Sequence, residues 1–149
     1  MNWKEKLQEY LRDSCGVSLS KEIVGDLQIS DDDADMLMYA VDGQKSHEEI
    51  MEIADWIVSG QNEDSIPNAL REYIYDMAAD GAVIGAFLKA FPSLTDEMKA
   101  YGLDENFNTR AHRNRWLSYI ARDSGKSVDD LRMWGHQARS SWARRLGLI

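Results

Sequence analysis

Residues 70–91 read LREYIYDMAADGAVIGAFLKAF, and the reading of this stretch decides the fold. Leu70, Tyr73, Ile74, Met77 and Ala78 recur at three- and four-residue intervals, the spacing of one helix face. Gly81 reads as a break. Ala82 to Phe91 then forms a second, nearly all-apolar stretch that Pro92 stops, as expected of a buried helix. A helical hairpin over 70–91 is therefore expected, with the other helices packed around it.

The same punctuation continues outward in both directions. Ser65 and Pro67 open the segment. Ser46 with Glu49 makes a capping box ahead of Ile50, Ile53, Ala54 and Ile57, and Ser30 with Asp33 does the same ahead of Ala34, Leu37, Met38 and Val41. Gly60 and Gly43 end these two helices. A short helix is expected over 21–27, and a first helix carries Trp3, Leu7, Tyr10 and Leu11 between Asn2 and Gly16. Downstream, Thr95 caps a short turn ending at Gly102. Asn108 or Thr109 starts a helix bearing Trp116, Leu117, Ile120 and Ala121, which Gly125 ends. Ser127 with Asp130 then opens a last helix from Val128 to about Leu146, with Leu131, Trp134, Ala138, Trp142 and Leu146 on one inward face. No stretch alternates with period two. The expected fold is all-α, a compact bundle of about seven or eight short helices with no β-sheet.

Composition supports one globular domain of 149 residues, with 44% hydrophobic and 29% charged side chains and a single cysteine, Cys15. One cysteine excludes an internal disulfide framework. The chain is charged from Lys4 onward with no apolar leader, and its longest uncharged apolar run covers only 81–88, so a soluble, cytoplasmic protein is expected. The net charge of −9 is unevenly laid out. Residues 22–105 carry four basic and twenty acidic side chains, and residues 106–149 carry nine basic and three acidic. The switch falls in 101–108, the least patterned stretch. This divides the chain into an acidic helical region, 1–105, and a basic two-helix subdomain, 106–149, packed together as one domain.

No catalytic, cofactor or metal motif is complete. Asp31, Asp33, Asp35 and Asp42 match four places of a calcium loop, but Met36 occupies the place that requires Gly. Ser124-Gly125-Lys126-Ser127 resembles the end of a phosphate loop, yet Ile120 stands where its leading Gly belongs. His47, His112 and His136 are scattered, so no zinc site is expected. Cys15 sits at a helix C-terminus, where nothing lowers a thiol pKa. No cofactor is expected, and an enzyme would need a helical site that leaves no sequence trace.

Two acidic rows carry more information. Glu48, Glu52 and Asp55 lie opposite Ile50, Ile53 and Ile57, and Glu72, Asp76 and Asp80 are expected opposite Tyr73, Ile74 and Met77. Like charges four residues apart cost about 0.2–0.5 kcal/mol per pair. Such rows approach the charge density of a nucleic-acid backbone. They also keep a protein soluble. The leading expectation is a non-enzymatic interaction protein whose acidic helices dock on a basic, nucleic-acid-handling protein. By analogy of size and charge alone, this is the manner of nucleic-acid-mimicking inhibitors such as phage anti-restriction and anti-CRISPR proteins.

The C-terminal region suggests the opposite polarity. Its arginines, among them Arg110, Arg113, Arg132 and Arg139, are interleaved with Trp116, Trp134 and Trp142, a pattern that can track phosphates. Ile120-Ala121, Gly125, Leu131 and Trp134 together resemble a helix-turn-helix over about twenty residues. That resemblance implies a DNA- or RNA-binding regulator with its reading helix from residue 128 onward, where Asp129 and Asp130 would face phosphates. The tryptophans, by their spacing, belong to the core.

Overall fold

The computed structural model describes residues 3–13 and 29–149. The expected helix over 21–27, Cys15 and the Asn2 and Gly16 signals lie outside the described residues. Among the described residues there are seven α-helices, which account for most of the chain, and no strand. They are α1 (Trp3–Asp13), α2 (Asp31–Asp42), α3 (His47–Val58), α4 (Arg71–Ala90), α5 (Asp96–Ala100), α6 (Arg110–Ser124) and α7 (Val128–Arg145). The chain divides into two compact units, Met1–Tyr73 and Ile74–Ile149, so the 101–108 stretch lies inside the second unit.

In the first unit α2 packs against α1 and α3. The Ser30 hydroxyl accepts from the Asp33 N–H and starts α2. Ser46 and Glu49 form the full reciprocal box that starts α3. Leu37, Ile50, Ile53 and Leu70 are fully buried, each contributing about 1.5–3 kcal/mol relative to exposure. Polar ties close the edges: Tyr10 donates to the Lys45 carbonyl, Trp56 Nε1 to the Asn62 carbonyl and Tyr73 to Asp35 Oδ2, all at 2.8 Å.

The second unit corrects the reading of 70–91. Gly81 does not break the helix; α4 runs uninterrupted for 20 residues and ends ahead of Pro92. One helical glycine costs only about 1 kcal/mol, which the packing of Ala79, Val83 and Ile84 outweighs. Around α4 gathers a core of Ile84, Met98, Leu103, Trp116, Leu117 and Ile120. Trp116 Nε1 donates to the Asp104 carbonyl at 2.9 Å and fastens the 101–108 stretch, where the side chains of Asp104 and Asn106 each accept from the N–H two residues on. Gly125 ends α6 in the left-handed conformation, φ 73°, and Ser127 caps α7.

Helix α7 also departs from expectation. Its buried positions are Leu131, Gly135 and Ala143, whereas Trp134 is 50% exposed and Ala138 is exposed. The reason is a close approach at Gly135. A Cβ there would lie 2.8 Å from the Ala79 carbonyl carbon, so only glycine lets α7 reach α4 at this point. That contact turns Trp134 outward.

Candidate functional site

The acidic row on α3 is built by local rules. Apolar Ile50, Ile53 and Ile57 turn one face inward, so Glu48, Glu52 and Asp55 fall on the exposed face. None of the three has an ion-pair partner among the described residues. Glu49, one residue along, is different: the backbone N–H and hydroxyl of Ser46 hold its carboxyl below the ordinary value.

The row expected on α4 is dispersed. Glu72 is exposed and lies in the first unit. Asp76 Oδ1 sits 2.7 Å from His136 Nε2, and the Tyr75 ring packs on the His136 ring at a tilt of 37°, with centroids 4.5 Å apart. Asp80, expected on a solvent face, is buried at 4% exposure. Arg132 Nε approaches it to 3.3 Å and Arg113 Nε to 4.0 Å. Burial pushes its carboxyl above the ordinary value, and the two guanidinium groups reverse this only in part. The signal was present in the sequence. Asp80 follows Tyr73 and Met77 by seven and three residues and precedes Ile84 by four, which puts it on the apolar stripe once α4 is read as one helix.

The arginines separate in the same way. Arg113 is 2% exposed, and its Nη1 donates to the Phe107 and Asn108 carbonyls, so it braces the loop entering α6 rather than facing a ligand. Arg132 is held by Asp80 and by Asn114 Oδ1. Arg139 lies over the Trp142 ring at 4.8 Å. Arg110 is half-buried at the start of α6.

A cleft of about 690 Å³ in the second unit is bordered by Asp76, Arg132, His136, Ser140 and Arg144. His136 beside a serine raises the question of nucleophilic chemistry. The Ser140 hydroxyl, however, donates to the Gln137 carbonyl at 2.9 Å, the Tyr75 hydroxyl donates to the His136 backbone carbonyl at 2.7 Å, and no hydroxyl among the described residues is bonded to the His136 ring. No cluster of three or more metal-ligating side chains occurs among the described residues. No helix among them is long and apolar enough to cross a membrane. Compared with known protein families, with curated proteins and with solved structures, the chain matches none.

Proposed function

We propose that the chain is a non-enzymatic interaction protein whose acidic first unit docks on a basic protein, one that itself handles nucleic acid. The observation that carries this reading is the unneutralised row Glu48, Glu52 and Asp55 in a unit of strongly negative charge. Met1–Tyr73 holds six basic and seventeen acidic side chains, a balance of −11, while Ile74–Ile149 holds eleven and nine, a balance of +2. In the second unit Asp76, Asp80 and Glu97 each have a cationic or imidazole partner. A surface that retains its mutual repulsion gains attraction only when a basic groove covers it. Inhibition by nucleic-acid mimicry, as in anti-restriction and anti-CRISPR proteins of phage, is the activity that follows from this chemistry.

The test uses the whole chain as bait against a nucleic-acid-binding protein fraction, beside a Glu48→Lys/Glu52→Lys variant. A captured basic protein, displaced by duplex DNA and by salt and lost from the variant at unchanged melting temperature, is the expected result. Equal capture by the variant overturns the reading. The helix-turn-helix layout of α6, Gly125 and α7 supports a second reading, binding of DNA or RNA by 106–149. Its arm of the test is a duplex titration: sequence-selective binding tighter than about 10⁻⁷ M, lost on Arg139→Ala, favours the regulator instead.

A further inference from the structure

The second unit carries a groove of about 330 Å³ that the acidic surface does not involve. Its floor is apolar and buried, made by Val83, Ile120 and Leu131. Phe87 and the half-exposed indole of Trp134 form the walls. Two charged side chains complete the lining, Lys126 from the turn before α7 and Asp130 from its first turn. Neither has an ion-pair partner among the described residues, and although four residues apart they do not pair with each other. Their helix-start roles fall to other atoms: the Asp130 N–H donates to Ser127 Oγ and the Lys126 N–H to Ser124 Oγ. Both side chains are thus left for a ligand.

We infer that this groove binds a small zwitterion with an apolar, aromatic body, of the class of the aromatic amino acids. The volume and lining match those of small-molecule sites, which are mostly apolar with a few polar groups that fix orientation. The aryl body lies over Leu131 and Val83 and stacks on the exposed part of the Trp134 indole. Lys126 receives the carboxylate and Asp130 the ammonium, so both unpaired charges gain a charge-assisted bond. A ligand with a single charge leaves one of the two unmatched, and this sets the specificity.

The experiment is an amide NMR titration of the full chain with phenylalanine, with phenethylamine, which lacks the carboxylate, and with phenylpropionate, which lacks the ammonium. Phenylalanine is expected to shift the amides of Ala86, Leu131 and Trp134 and to bind about tenfold more tightly than either analogue, the scale of one charge-assisted bond. Lys126→Gln should weaken phenylalanine and phenylpropionate but not phenethylamine. Asp130→Asn should weaken phenylalanine and phenethylamine but not phenylpropionate. Both positions are exposed and cap no helix through their side chains, so the fold persists; a thermal melt checks this. Trp134→Ala should abolish binding and Trp134→Phe should restore most of it. An analogue that binds as tightly as phenylalanine, binding that survives Trp134→Ala, or no shift at saturating phenylalanine overturns the proposal.

Discussion

Asp80 and Arg113 show how much one residue's surroundings alter its meaning. The two members of this buried pair are not equivalent. Arg113 donates to two loop carbonyls as well as facing Asp80, so Arg113→Ala strips the loop of its brace and leaves an ionised carboxylate with Arg132 alone. A loss of about 2–4 kcal/mol in urea unfolding is expected. Asp80→Asn should behave differently. Burial raises the Asp80 pKa above 3.8, so between that value and the raised one the folded state holds a proton that the unfolded state has released. The stability from this group is therefore fullest below pH 3.8 and is lost as pH rises through the folded pKa. Asparagine stands in for the protonated form, so Asp80→Asn should match or exceed wild-type stability at neutral pH and converge with it in acid. Parallel urea titrations across pH check this, and a variant weaker at neutral pH than in acid, relative to wild type, contradicts it. Glu49 has the opposite sign. Its lowered pKa adds stability above 4.5 that is lost as pH falls through the folded value; Glu49→Gln should remove that dependence, whereas Ser46→Ala, which keeps the backbone N–H, should only reduce it.

Among the elements, α4 and α7 are held by a contact that admits no side chain. Gly135→Ala drives a methyl group into the Ala79 carbonyl and should cost about 1–3 kcal/mol, the range for overpacking. Gly85→Ala is its control. Nothing lies within 4 Å of a Cβ at Gly85, and alanine there should stabilise α4 by about 0.5–1 kcal/mol. Denaturant melts of the two variants should move in opposite directions. These two glycines also show what a sequence reveals. Helix starts were legible because Ser30, Ser46, Thr95 and Ser127 act on an N–H three residues away. The continuity of α4 through Gly81 and the outward turn of Trp134 were not, because each depends on packing between segments distant in the chain. The exposed placement of Glu48, Glu52 and Asp55 was legible from the isoleucines opposite them. Asp80 was missed because a break read at Gly81 hid its place on the apolar stripe of α4, and its partners Arg113 and Arg132 lie far along the chain.

Across the whole molecule, the net negative charge is concentrated in one of the two packing units. The first unit, at −11, should respond to salt as a self-repelling body. Raising ionic strength shortens the screening length from about 30 Å at 0.01 M to about 8 Å at 0.15 M. Amide hydrogen exchange in α2 and α3 should therefore slow as sodium chloride is added. Exchange in α6 and α7, whose unit is nearly balanced, should change little. Segment-resolved exchange at two salt concentrations measures both, and equal slowing in the two units would show that the acidic row does not govern the response. The sequence placed the charge switch at 101–108, by counting residues. The packing divides the chain elsewhere, after Tyr73, and α5 with the loop after it belongs to the core around Trp116, so the second unit takes in an acidic stretch and comes out near balance.

Arg132, Gly135 and His136 meet Asp80, Ala79 and Asp76 along a single turn of α7. This fixes where the gene can change length. One codon inserted between Val128 and Arg132 would rotate everything after it by about 100° and advance it by about 1.5 Å, dislodging all three contacts together. The same codon inserted in the turn 125–127 can be taken up before the helix begins. Length variation among descendants of this chain should therefore collect in that turn and stay out of the first two turns of α7.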